Sequence, residues 1–342
     1  MSLIDERDYY QAVDLPIYRA ELADWLPARV FDIHAHAWLP QHNLRPISEE
    51  RVGLVFEAES VSWDELREAY DLLFPGKTVE WLAFGMPLSV VDREANNAYV
   101  AAQIDNRRSF GLYVVRPEET DGLLDKLKAG GFVGFKPYLS FVTWKPLEAI
   151  RIRDFLTDAQ LEVAHQYRLP VMLHVPRDRR LADPDNLTDL EHIAAAYPHA
   201  RIILAHGGRA YSAALINEAL NVVERLDNMY FEFSNVQSAE VVEAILRRMP
   251  LERLMYGSDI PVATVRGYMF MLNGQRVALT RKPFAWSISG KPGQLRCTFM
   301  GYEQIRAMKT ACERVGIRRE GVEALFYGNA RRLIDEAVQA LQ

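Results

Sequence analysis

The chain has 342 residues, 49% hydrophobic and 25% charged, a globular composition long enough for one large α/β barrel or two ordinary domains. A formal net charge of −6 excludes a general nucleic-acid binder, which needs surplus Lys and Arg to neutralise phosphates, and favours a small-molecule ligand. Two cysteines, Cys297 and Cys312, are too few for a disulfide framework; with no apolar run of membrane-spanning length and no signal-peptide pattern, a soluble cytoplasmic protein is expected.

Residues 1–29 read as a helical N-terminal extension stopped by Pro27. The first strand, Val30–Trp38, carries His34 and His36 two positions apart, so both point to one face. Chance placement of the histidines would give roughly 0.2 such pairs, and a lone pair is more often structural than ligating. Leu39–Lys77 is a long polar connection holding a helix at Trp63–Phe74 capped by Ser62, and its size predicts a flap over a site.

Short apolar runs then recur at Val79–Met86, Phe110–Val115, Phe132–Tyr138, Pro170–Val175, Arg201–Ala205, Met229–Phe233 and Arg253–Tyr256. Helical patterns separate them at Arg93–Ile104, Leu123–Ala129, Ile152–Tyr167, Leu187–Tyr197, Ala213–Leu226 and Ala239–Arg248. With the first strand these make eight β/α units, which predicts an α/β fold: one (β/α)8 TIM-like barrel domain over residues 1–342, with long loops after strands 1 and 8. A doubly wound open sheet is the alternative, but no strand–GxGxxG–helix fingerprint supports it. The insertion at 262–299, rich in glycine, reads as a loop or short hairpin. Its Ala285–Lys291 run superficially resembles a phosphate loop, yet Pro292 stands where a Ser or Thr is required. Helices at Tyr302–Arg314 and Asn329–Leu341 close the chain.

In such barrels catalytic groups lie at the C-terminal strand ends. Here Val171–Leu173 leads into His174, Ile202–Ala205 into His206, Leu254–Ser258 into Asp259 and Phe132–Phe135 into Lys136. Singly, each reads as a hydrogen-bonded structural residue or a cap. Together, imidazoles and a carboxylate suit one divalent ion, zinc above others, with positions left open for water. Arg116, Lys136, Arg177, Arg209 and Arg266 cluster near strand ends, which suggests an anionic, carboxylate-bearing substrate rather than surface pairing alone. Trp38, Tyr138, Phe141, Trp144 and Tyr211 are candidates for aromatic walls, or for core and lid packing. Asp32, two residues before His34, is either an orienting partner or a strand-start cap.

The ordered set His34-x-His36, His174, His206, Asp259, with Phe31–His36, Tyr256–Pro261 and Tyr327–Leu333, resembles the amidohydrolase superfamily over about residues 28–336. The details look like its "amidohydrolase 2" branch, which includes aminocarboxymuconate-semialdehyde decarboxylase and pyrone-dicarboxylate lactonase. The resemblance implies that His34, His36, His174 and Asp259 bind one metal ion, with His206 as general base or electrostatic partner. It leaves Lys136 two roles, a carbamylated bridge between two metals or an unmodified residue facing the substrate. The implied activity is hydrolysis of a small carboxylate-bearing lactone, amide or ester-like compound by a metal-activated water, with Asp259 as proton carrier and Lys136, Arg177, Arg209, Tyr138 and Trp38 at the substrate. The alternative is a non-oxidative decarboxylase or hydratase of a small aromatic or muconate-type acid, using the same ion and His206 to protonate carbon. A catalytically dead binding barrel is disfavoured by the complete ligand set; no nucleic-acid or membrane partner is expected, and a homo-oligomer is left open.

Overall fold

The computed structural model describes residues 6–52, 58–289 and 295–342. Eight strands pair parallel in chain order: β1 (Arg29–His36), β2 (Thr78–Phe84), β3 (Ser109–Val115), β4 (Gly134–Pro137), β5 (Pro170–Leu173), β6 (Arg201–Leu204), β7 (Met229–Glu232) and β8 (Leu254–Met255). β8 is only two residues long, but the chain beyond it continues beside β1. The Ile33 amide donates to the Tyr256 carbonyl at 3.1 Å, the Asp259 amide to the His34 carbonyl at 2.7 Å and the His36 amide to the Ile260 carbonyl at 3.1 Å. These bonds bring the first and last strands together in a nearly closed barrel, the expected (β/α)8 fold.

The strands are near-continuous apolar runs because both faces are buried, one by the barrel interior and one by helices. Every residue of β3 is buried. Between β4 and β5 the backbones approach so closely that a Cβ on Gly134 would lie 2.2 Å from the Pro170 carbonyl oxygen, so that position requires glycine. Crossover helices begin where a polar side chain takes an otherwise unpaired amide. Asp92 accepts from the Ala95 amide at the start of Arg93–Gln103, Ser212 from Leu215 before Ala213–Val223, and Ser238 from Val241 before Ala239–Arg248. Ser62 and Glu65 form the reciprocal pair that starts helix Trp63–Leu73, as read from the sequence.

Some elements differ from expectation. The N-terminal extension is a helical run from Arg7 to Leu22 with wide π turns at Tyr10–Asp14 and Tyr18–Leu22; it passes through Pro16, whose missing N–H breaks the regular ladder. The expected helix Ile152–Tyr167 is a 3-10 turn at Ile152–Asp154 followed by a helix at Asp158–Tyr167. Each piece has its own start: the Asp154 carboxylate takes the Arg151 amide and the Lys145 ammonium, each at 2.8 Å, and Gln160 Oε1 takes the Thr157 amide at 3.2 Å. The insertion folds as the antiparallel hairpin β9 (Gly267–Leu272) and β10 (Gln275–Thr280), with β11 (Ile288–Ser289) beside β10. Asn273 and Gly274, at φ 49° and 79°, make its turn, the residue pair such hairpins favour. The Gly290–Lys291 end of the phosphate-loop-like run lies outside the described residues. Among the described residues no helix is long and apolar enough to cross a membrane.

Candidate metal centre

At the C-terminal end of the barrel, β1, the loops after β5, β6 and β8, and β7 converge on one cavity. Asp259 is its hub. Its Oδ1 lies 3.2 Å from His34 Nε2 and 3.1 Å from His36 Nε2, and its Oδ2 accepts from Asn235 Nδ2 at 2.6 Å. Ligand atoms of His34, His206 and Asp259 all fall within 4.8 Å of one another, and all three residues are buried. His206 thus lies close against these donor atoms. His174 forms the adjoining wall, its ring 5.2 Å from that of His206 and 4.9 Å from that of Tyr138.

Glu232, which sequence reasoning missed, organises this cluster from the end of β7. Wholly buried, it bonds His34 Nδ1 at 3.0 Å and accepts from the His206 amide at 2.7 Å, the Ser234 amide at 2.6 Å and the Ser234 hydroxyl at 2.8 Å. The carboxylate makes His34 Nδ1 a donor and so aims its Nε2 at Asp259. A Cβ on Gly257 would lie 2.4 Å from Glu232 Oε2, so glycine makes room for this contact. The only local signal was a lone acid ending an otherwise apolar strand. Asn235, also missed, has no signature at all. Asp32 is an orienting residue one step removed: it accepts from the His34 amide at 3.0 Å, the Ser258 amide at 2.8 Å, Tyr70 Oη at 2.8 Å and the Ser258 hydroxyl. It thereby ties β1 to the segment that presents Asp259.

The charges are those of a ligand cage. Burial opposes ionisation of Asp259, but the His206 and His34 rings outweigh it and hold the carboxyl well below its usual range. Burial is likewise outweighed at Glu232, where His34 brings the pKa down to about 2. His34 is raised to about 9 by Asp259 and Glu232 against the effect of burial. Burial lowers His36 and pushes His206 down to about 3; it also drives His174, next to Arg209 and His206, well below the ordinary imidazole value. Buried His36 Nδ1 and His174 Nε2 have no hydrogen-bond partner among the described residues. Neutral imidazoles with unshared lone pairs beside ionised carboxylates are a donor set that fits a divalent ion.

A family model described as amidohydrolase matches residues 31–335. The chain belongs to the amidohydrolase family. No curated protein sequence matches this amidohydrolase significantly. Among solved structures, it is similar to an amidohydrolase from Burkholderia multivorans with bound HEPES (TM-score 0.59, 15% identity, covering 90% of this chain and 99% of that one). A zinc-bound form of that protein gives TM-score 0.58 at the same identity and coverage. A probable 2-pyrone-4,6-dicarboxylic acid hydrolase from Acinetobacter baumannii with citric acid bound gives TM-score 0.54 at 16% identity, with coverage of 90% and 99%. At these identities the likeness establishes the shared barrel.

The cationic residues separate into two groups. Lys136 and Arg209 line the cavity of this amidohydrolase, as does the Tyr138 ring. Lys136 is buried against the rings of Phe84 and Tyr138, 5.3 and 5.5 Å away, and burial takes its pKa down to about 7. Arg209, on left-handed backbone at φ 61°, folds back so that Nη1 donates to the Val175 carbonyl at 2.7 Å. Arg177 does not line the cavity; Asp183 and Asp185 each hold its guanidinium at 2.9 Å. Trp38 does not line it either, being wholly buried with Nε1 donating to the Glu59 carbonyl at 2.8 Å. Arg266 is paired with Asp14 and Glu6. A residue not anticipated, Arg276 of β10, reaches the cavity.

Proposed function

We propose that this amidohydrolase hydrolyses a small carboxylate-bearing lactone, amide or ester-like compound, with one divalent ion held by His34, His36, His174 and Asp259 and bordered by His206. Zinc is the ion favoured by an imidazole and carboxylate set, and the zinc-bound Burkholderia relative supports it. When bound, such an ion polarises a carbonyl and brings the pKa of water down to about 7. Asp259, ionised and aimed by Asn235, takes the proton of the attacking water and returns it to the leaving group. Glu232 keeps His34 in one tautomer, and Lys136 and Arg209 hold the substrate carboxylate.

The observation that carries this reading is the junction of an ionised Asp259 with a cavity wall bearing Lys136 and Arg209. The citrate-bound pyrone-dicarboxylic acid hydrolase supports an acidic substrate. The decarboxylase alternative would use the same ion, with His206 as the group that protonates carbon. The test is to incubate the metal-supplemented enzyme with carboxylated and neutral lactones and, in parallel, with aromatic and muconate-type acids, following ring opening and CO2 release. Opening of the carboxylated lactones is expected. CO2 release from the acids without ring opening would replace hydrolysis with decarboxylation, and equal turnover of neutral lactones would remove the anionic requirement.

A further inference from the structure

The cavity at the donor cluster is about 60 Å³, far below the roughly 300–1,000 Å³ of an ordinary small-molecule site. It admits a reacting carbonyl and a carboxylate, but not a ring-bearing substrate as a whole. A second cavity of about 280 Å³ adjoins it, and Tyr211, Asn235 and Arg276 line both. Arg276 and Tyr211 form the partition: Arg276 Nη1 donates to Tyr211 Oη at 3.2 Å, and the guanidinium lies 5.1 Å from the ring centre. On the far side Arg276 is the one cation among the described residues, and Val236 and the Tyr268–Met271 stretch of β9 line the cavity together with polar Ser212, Gln237, Ser238 and Glu240.

We infer that the outer cavity is a subsite for an apolar, preferably aromatic, half of the substrate, joined to the carboxylate-bearing half that reacts in the inner cavity. This deepens the hydrolase reading and rests on it for which bond is broken. Asn235 borders both cavities and touches Asp259, so a bond cleaved beside Asp259 leaves its departing half facing the outer one. In that step the hydroxyl of water joins the acyl carbon, the bond from carbon to the departing oxygen or nitrogen breaks, and the water proton passes through Asp259 to that atom. Methionine and aromatic side chains suit a ring, because thioethers adapt in shape and contact aromatic edges favourably. Arg276 serves both halves: its charge faces the carboxylate and its position on the partition faces the ring.

The experiment uses two non-reactive acids, succinate and benzylsuccinate, which share both carboxylates and differ by one aromatic group. Their affinities for the metal-supplemented enzyme are measured by calorimetry, so the result does not depend on which reaction is catalysed. Benzylsuccinate should bind at least tenfold more tightly. Ala213→Trp, which fills the outer cavity from the start of helix Ala213–Val223, should bring the affinity ratio close to one. Met271→Ala, at a partly exposed strand position that tolerates truncation, should lower the ratio severalfold and provides the test if Ala213→Trp does not fold. Equal affinity of the two acids for the wild-type protein, no binding of either, or a ratio unchanged in the folded variants would overturn the subsite. Loss of hydrolysis with the ratio intact would instead overturn the hydrolase reading alone.

Discussion

Arg177 and Arg209 occupy equivalent places in the sequence, three residues beyond His174 and His206, yet their surroundings separate them. Asp183 and Asp185 neutralise Arg177, whereas Arg209 is half-buried in the cavity wall, with its pKa brought down to about 10 by desolvation and by neighbouring Arg180. A charge-assisted contact is worth about 1.5–3 kcal/mol, so Arg209→Met should lower kcat/KM on the preferred acid roughly ten- to a hundred-fold, mainly through KM. Arg177→Met should leave kcat/KM within about twofold and act through the local ion pairs. The reverse ranking in steady-state kinetics would mean that Arg177 leaves its aspartates to meet substrate. Backbone conformation marks the site as well: His206, Arg209, Asn235 and Asp259 all line the cavity and all hold positive φ, between 57° and 61°. Non-glycine residues take that region reluctantly, and here it is what turns side chains at strand ends back over the barrel.

The two long excursions, the first of them expected as a flap over the site, part company. The insertion does reach the cavity, through Arg276 of β10. Its hairpin is anchored by Gln237, which accepts the Met269 amide at 2.7 Å through Oε1 and the Tyr268 hydroxyl at 3.2 Å through its carbonyl. None of the described residues of the Leu39–Lys77 segment lines that cavity. Its helix Trp63–Leu73 packs instead on the barrel wall, with Trp63 and Tyr70 rings 5.9 and 5.2 Å from Trp81 and the Tyr70 hydroxyl on Asp32. The reason is amphipathy: Trp63, Leu66, Ala69, Tyr70 and Leu73 make one apolar face that the barrel buries. Because the Gln237 side chain ties the Met269 amide, in addition to the bond from the Gly267 amide to the Thr298 carbonyl at 3.0 Å, Gln237→Ala should raise KM severalfold and speed proteolysis within residues 267–289, while moving global Tm little. Unchanged cleavage and KM would show that the hairpin is held by its other contacts.

Across the whole molecule, the proposed ion would join side chains from β1 and from the loops after β5 and β8, and so couple opposite parts of the barrel wall. A ligand that binds only the folded state stabilises it by about 4 kcal/mol at a thousand times its Kd. Chelation should therefore lower Tm by several degrees, and adding back one equivalent of zinc should restore it; a Tm indifferent to chelator and zinc would show that the donor cluster does not hold metal. The barrel was legible in the sequence because parallel strands buried on both faces must be short apolar runs, and crossovers long enough to return must be helical. The placing of His34, His36, His174, His206 and Asp259 at one end was legible for the same reason, since each follows an apolar run and all parallel strands end on the same side. Which neighbours orient those groups was not. Glu232, Asn235 and Arg276 meet the site through contacts spanning from 24 to 198 positions along the chain, and Arg177 is withdrawn from it by two aspartates at the start of the following helix. Local pattern sets where a side chain starts, but its direction is decided by whichever partner lies within hydrogen-bond reach once the barrel has closed, and that information exists only in the tertiary structure.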